Sequence, residues 1–207
     1  LWMVMTQIAA HGITNKSVLD ALATVPRHSF VPSAQRFLAY EDCPLPIGFG
    51  QTISQPYIVG VMTQAMMLTG RERVLEIGAG SGYQAAVLSR LASEVITMER
   101  IPSLARRAER TLNKLKYDNV AVREGNGSRG WDEGAPYARI IVTAGAPTLP
   151  EPLKEQLKPD GFIVIPVGDE HSQVIQRWWT RHGDWMTGNV LTEVRFVPLG
   201  GQHGWPG

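Results

Sequence analysis

The residues best placed to do chemistry sit where Val74-Leu75-Glu76-Ile77 runs into Gly78-Ala79-Gly80-Ser81-Gly82, just before Tyr83. A strand that opens through glycines into a helix is the context of a nucleotide-type site, because glycine lets the backbone approach a ligand closely and take positive φ. The spacing separates ligand classes. A dinucleotide loop reads G-x-G-x-x-G, with pyrophosphate on the helix N-terminus. Here the glycines fall at 78, 80 and 82, with Glu76 two residues before the first. An acid so close disfavours pyrophosphate and suits a ligand carrying sulfonium and ammonium charges. Glu99 follows about twenty residues after the loop, where an acidic side chain reaches ribose hydroxyls. Glu124-Gly125-Asn126-Gly127 comes after a third strand. Alone it reads as a turn; behind this loop it belongs beside the ligand's base.

A second group precedes the loop. Ser54-Gln55-Pro56 reads as a helix N-terminus with Ser54 as cap. A capping hydroxyl with free N–H groups is also an anion site. Other reactive residues point nowhere in particular. The five histidines lack metal-ligand spacing, so no metal site is expected. Cys43 is the single cysteine, which excludes an internal disulfide, and no local base would make it a nucleophile.

The flanking elements fit these positions. Residues Trp2–His11 are helix-compatible, and Ser17–Thr24 is an amphipathic helix stopped by Pro26. Residues 26–56 are rich in Pro and Gly and show no long periodicity, as functional connections often do. Helices are predicted over Val59–Leu68, Tyr83–Leu91, Pro102–Lys116 and Pro150–Leu157. Strands are predicted at Val74–Ile77, Val95–Glu99, Val120–Arg123, Arg139–Thr143 and Phe162–Pro166. That alternation predicts an α/β fold with a doubly wound, mainly parallel sheet and an N-terminal helical extension. Ser172–Thr180 and Trp185–Val197, joined at Arg181-His182-Gly183-Asp184, read as a hairpin forming an antiparallel edge.

Composition sets the outer bounds. A chain of 207 residues with 43% hydrophobic and 19% charged residues suits one globular domain. Residues 1–56 are expected to give the N-terminal helices and a substrate loop, and residues 57–207 a cofactor-binding core. A net charge of +1 gives no electrostatic reason for nucleic acid as a partner. No apolar run has the length of a membrane span or the look of a signal peptide, which with the single cysteine favours the cytoplasm. The chain begins at Leu1, and a few leading residues are expected to precede it.

Taken together, Glu76 to Tyr83, Glu99 and the Gly125-Asn126-Gly127 loop resemble the S-adenosylmethionine site of class I methyltransferases. The segment Pro46-Ile47-Gly48-Phe49-Gly50-Gln51-Thr52-Ile53-Ser54-Gln55-Pro56-Tyr57 resembles the signature of the protein-L-isoaspartate O-methyltransferases. Val25-Pro26-Arg27, Ile141-Val142-Thr143-Ala144, Pro166-Val167-Gly168 and Arg195-Phe196-Val197-Pro198-Leu199 extend the likeness in family order over nearly the whole chain. The resemblance implies the class I methyltransferase fold and S-adenosyl-L-methionine as cofactor. It implies Glu76, Gly78, Gly80, Ser81, Gly82, Glu99, Gly125, Asn126 and Thr143 as cofactor residues. It also implies Ser54 as the catalytic serine, and Thr52, Ile53, Arg195 and Val197 as substrate contacts with it. The partners implied are damaged proteins and peptides carrying L-isoaspartyl or D-aspartyl residues; oligomeric state is left open.

The implied reaction needs no strong base, because a free carboxylate is already ionised at neutral pH. The methyl ester then loses methanol to the neighbouring amide nitrogen, and the succinimide hydrolyses partly to normal aspartate without an enzyme. Two positions depart from the family pattern. Asn126 stands where the family carries Asp, and Ala138-Arg139 where it commonly has Asp before the fourth strand. Two other classes stay open on residues alone: a methyltransferase for small molecules or other protein carboxylates, and an inactive fold that senses the cofactor or damaged protein.

Overall fold

A computed structural model of the chain describes residues 1–205, with backbone only for residues 189–192. Its centre is a seven-stranded sheet of β3 (Arg73–Ile77), β4 (Glu94–Glu99), β5 (Val120–Glu124), β6 (Tyr137–Val142), β7 (Leu157–Gly168), β8 (Gln173–Arg181) and β9 (Asp184–Val194). They lie in the order β5-β4-β3-β6-β7-β8-β9. The first five of these positions are parallel, and β8 and β9 add antiparallel at one edge. The order reverses between β3 and β6, so the carboxyl ends of these strands open a crevice there, where ligands bind in open α/β sheets.

Both faces of the central strands β3, β4 and β6 are largely buried, so they read as near-continuous apolar runs. Along β3, Val74 joins one hydrophobic cluster, and Leu75 and Ile77 join the other. The first cluster takes in α1 (Lys16–Thr24), α2 (Pro56–Ala65) and α3 (Tyr83–Ser89), and also Leu104 and Leu112 of α4 (Pro102–Lys114). The second includes Leu153 of α5 (Glu151–Glu155). Asn15 caps α1 through its side chain, which accepts from the Val18 N–H at 3.2 Å.

Residues 26–56 hold more structure than their sequence announces. Two 3-10 turns, Arg27–Phe30 and Ser33–Leu38, lead into a small antiparallel hairpin of β1 (Leu45–Gly48) and β2 (Gln51–Ile53). Phe49 at its tip has φ 56 and is exposed. The N-terminal segment is mixed, with a π-helical stretch at Val4–Ile8 and a 3-10 turn at Ala9–His11. No helix among the described residues is long and apolar enough to cross a membrane.

Candidate active site

The loop between β3 and α3 uses its three glycines for three separate reasons. All have positive φ, at 101° for Gly78, 53° for Gly80 and 87° for Gly82. A Cβ on Gly78 would lie 2.5 Å from Thr143 Oγ1, and one on Gly82 would press on Ala108 and Leu112 of α4 at 3.3 Å. Gly80 is different: its added Cβ would meet only Ile47 Cδ1, at 3.4 Å, and Gly80 lines the crevice. Gly78 therefore serves the β6 end, Gly82 serves helix packing, and Gly80 serves whatever the crevice holds.

Two acids flank this loop, each in a different state. Glu99 at the end of β4 turns both oxygens to backbone donors. Oε2 accepts from the Gly80 N–H at 2.8 Å and Oε1 from the Ile101 N–H at 2.9 Å. Carboxylate oxygens accept more than one bond, so Glu99 both fixes the loop and retains acceptor capacity at the wall it lines. Glu76 lies inside the central strand, fully buried, with Thr97 of β4 opposite in register. Among the described residues neither of its oxygens has a hydrogen-bond partner, and neither does the Thr97 hydroxyl. Burial pushes the Glu76 carboxyl up to about 8; the nearby Thr97 hydroxyl opposes the rise and the charge of Glu99 adds to it. Thr143 completes the frame, its hydroxyl donating to the Gly78 carbonyl at 2.7 Å.

Two cavities open at this end of the sheet. The first is narrow and is lined by Gly78, Gly80, Ser81, Glu99 and Gly127, under a strap formed by Val197 to Gly200. The second is wider, about 420 Å³, and is lined by Gln55, Tyr57, Glu193, Arg195 and Phe196 among others. Thr52, Ser54, Thr143 and Val197 line both and form a common wall. Ile53 lines the first only. The strap is tied down at Gly145, which donates to the Val197 carbonyl at 2.9 Å and accepts from the Leu199 N–H at 2.7 Å. Gln173, buried on β8, accepts from the Phe196 N–H at 2.8 Å.

Four of the expected cofactor residues do not line either cavity: Glu76, Gly82, Gly125 and Asn126. Glu76 lies one residue behind Ile77, which does. Asn126 is turned away for a local reason. It is the N-cap of the 3-10 turn Gly127–Arg129, and its Oδ1 accepts from the Ser128 N–H at 3.1 Å and the Ser128 hydroxyl at 2.9 Å. Ser54 is likewise not the cap of α2. Gln55 occupies that position without a side-chain bond, and Asp42 instead accepts from the Tyr57 N–H at 2.8 Å. Sequence reasoning passed over Asp42, since a cap contributed from fifteen residues away leaves no local signal. It also passed over Met98 on the first cavity's wall, where Gly127 of the expected Gly125-Asn126-Gly127 loop lies as well.

The chemistry of the first cavity follows from these groups. A buried acid without partners, a second acid at the wall and a glycine that leaves the wall open favour a ligand with a positive charge and hydroxyl donors. Those are the features of S-adenosylmethionine, and they are unfavourable for a pyrophosphate. Among the described residues no cluster of three His, Cys, Asp or Glu side chains could hold a metal.

Comparison with known proteins gives the same direction. A family model described as "Protein-L-isoaspartate(D-aspartate) O-methyltransferase (PCMT)" matches residues 3–204. Protein-L-isoaspartate O-methyltransferase 1 of Rhodopseudomonas palustris (strain HaA2) is 54% identical over 204 residues, covering 98% of this chain and 83% of that protein. The protein-L-isoaspartate O-methyltransferase of Dictyoglomus thermophilum is 53% identical over 194 residues, covering 94% of this chain and 88% of the relative. A solved structure titled protein-L-isoaspartate O-methyltransferase superposes with a TM-score of 0.87 at 29% identity, covering 97% of this chain and 66% of its own. A Plasmodium falciparum structure, titled as a complex of a putative enzyme of this kind with S-adenosyl-L-homocysteine, shares the fold at a TM-score of 0.80 and 23% identity, covering 94% of this chain and 95% of that one. The chain belongs to the protein-L-isoaspartate(D-aspartate) O-methyltransferase family.

Proposed function

We propose that methyl transfer takes place across the wall shared by the two cavities, with the cofactor in the narrow one and the substrate carboxylate in the wide one. The activity is that of an S-adenosylmethionine-dependent carboxyl O-methyltransferase acting on L-isoaspartyl residues of damaged proteins. The observation that carries the assignment of sites is the common wall itself. Thr52, Ser54 and Thr143 stand between an acid-flanked glycine crevice and a second chamber of about 420 Å³.

When bound, S-adenosylmethionine supplies an electrophilic methyl group. Gly80 and Ser81 would admit it, and Glu99 would accept from its hydroxyls while keeping the loop in register. Glu76, protonated at neutral pH in the ligand-free protein, would ionise behind Ile77 as the cationic ligand binds. The substrate carboxylate needs no deprotonation, so the protein's work is alignment. The Ser54 hydroxyl would donate to the carboxylate oxygen that does not react, directing the other at the methyl carbon. Thr52, Ile53 and Val197 would flank the isoaspartyl residue, and Arg195 would meet the peptide at the rim. The single-domain reading of residues 1–207 belongs to this proposal too: the wall between the cavities draws on both the N-terminal hairpin and the α/β core.

Ser54→Ala is expected to lower turnover on an isoaspartyl peptide by about tenfold, the loss of one hydrogen bond to a charged group. Its affinity for S-adenosylhomocysteine should change less than about twofold. Because Asp42 caps α2, the melting temperature should hold. Steady-state kinetics and calorimetric titration check both halves; full turnover in the variant would remove Ser54 from the mechanism.

Asn126→Asp gives a contrasting expectation. Asp and Asn cap equally well, and the side chain at 126 is engaged by Ser128 rather than by the cavity. Cofactor affinity is therefore expected to stay within about twofold of the parent. A tightening of about fivefold on titration, as a direct bond to the adenine amino group predicts, would place residue 126 against the base after all.

A further inference from the structure

Arg27 is a fully buried cation outside the two cavities. Its side chain is completely buried, yet among the described residues no carboxylate pairs with it within 4.0 Å. It donates from Nε to the Ala39 carbonyl at 2.8 Å and from Nη2 to the Ser54 carbonyl at 2.7 Å. Its guanidinium lies over the Tyr83 ring, 4.8 Å from the centroid. Among the described residues Nη1 has no hydrogen-bond partner, and neither does the Tyr83 hydroxyl. Asp42, whose charge bears on it from beyond ion-pair distance, is occupied with the Tyr57 N–H and the Gln55 amide. A buried cation without a counter-ion is strongly unfavourable. Two carbonyls and one ring face offset only part of that cost.

The position of this charge is the informative fact. Arg27 binds the backbone of Ser54, a residue of the wall shared by the two cavities. We propose that Arg27 is a positioning residue whose uncompensated charge, directly behind the Ser54 wall, selects the anionic carboxylate of the substrate over its neutral methyl ester. The inference rests on the function proposed above. Its consequence for kinetics is specific. The reacting carboxylate oxygen loses negative charge as its bond to the methyl carbon forms and the carbon–sulfur bond breaks with its electron pair left on sulfur. A fixed positive field therefore helps the bound substrate at least as much as the transition state. Arg27 should act on KM and on release of the uncharged ester, not on the methyl-transfer step.

The test uses Arg27→Gln, which keeps a hydrogen-bond donor and removes the charge. We expect KM for isoaspartyl peptide to rise by about tenfold or more, with kcat within about threefold of the parent. Affinity for S-adenosylhomocysteine should stay within about twofold. A second measurement needs no variant. The parent, saturated with S-adenosylhomocysteine, should bind an isoaspartyl peptide at least about tenfold tighter than its neutral isoasparaginyl twin. In a folded Arg27→Gln that preference should fall to about threefold or less. Unchanged KM in Arg27→Gln, or a parent with no preference for the acid over the amide, would each overturn the inference. A parent that fails to methylate isoaspartyl peptide at all would overturn the functional reading itself. Activity in the parent with no effect at residue 27 would overturn only the role of Arg27.

Discussion

Glu76→Gln should stabilise the ligand-free protein near pH 8 and at the same time weaken its affinity for S-adenosylmethionine. The folded carboxyl sits at about 8, against an ordinary value of 4.5, with burial as the main cause. Between those values the folded state holds a proton that the unfolded state has released. Stability therefore falls as pH rises through the window from 4.5 to 8 and remains low above it. By pH 7 the loss amounts to roughly 3 kcal/mol, at about 1.4 kcal/mol for each tenfold difference in proton affinity. Gln cannot ionise, so the variant should lack this component. Melting curves at pH 5 and pH 8 should converge for Glu76→Gln and separate for the parent. The affinity loss has the opposite sign because the ligand brings the cation that a buried carboxylate lacks. Roughly tenfold is expected, the scale of one charge-assisted contact. Equal pH slopes in parent and variant would show that Glu76 does not titrate in this range; equal affinities would show that its charge is not used by the cofactor.

Gly80→Val should abolish cofactor binding while the chain still folds. The backbone there has φ 53, which a β-branched residue adopts only under strain of about 1–3 kcal/mol. Its Cβ would meet Ile47 Cδ1 at 3.4 Å, an ordinary contact, and the branches would occupy the crevice that Gly80 lines. Gly78→Ala is the control for fold damage, since its Cβ would lie 2.5 Å from Thr143 Oγ1. Calorimetric titration with S-adenosylhomocysteine, beside a melting curve, separates loss of binding from loss of structure. Parent-like affinity in folded Gly80→Val would remove the glycine loop from the cofactor site.

The parallel core was legible because its signals are local. Val74–Ile77 and Glu94–Glu99 are buried on both faces and read as short apolar runs between glycines and helices. Pro102 marked the first turn of α4, and Arg181-His182-Gly183-Asp184 marked the hairpin, with His182 and Gly183 both at positive φ. What was missed depends on contacts far apart in sequence. The β1–β2 hairpin has strands of only four and three residues, too short for an alternating pattern to register. The first residues of β7, Lys158-Pro159-Asp160-Gly161, carry turn chemistry and hold Asp160 at φ 61, so the strand was expected only from Phe162. Asp42 took the capping role expected of Ser54 because the fold brings it to α2 from another segment. Asn126 was expected at the adenine, and its hold on Ser128 two residues on was not anticipated. Arg27 shows the same limit. Val25-Pro26-Arg27 entered the reading only as part of the family likeness, and the burial of Arg27 against the Ser54 backbone depends on packing between distant segments.

One measurement bears most directly on the whole account: methyl incorporation from labelled S-adenosylmethionine into an isoaspartyl peptide and into its aspartyl twin of identical sequence, side by side with the purified protein. The account predicts a base-labile methyl ester on the isoaspartyl peptide and none above background on the aspartyl one. Equal methylation of the two, or methylation of neither, would contradict it.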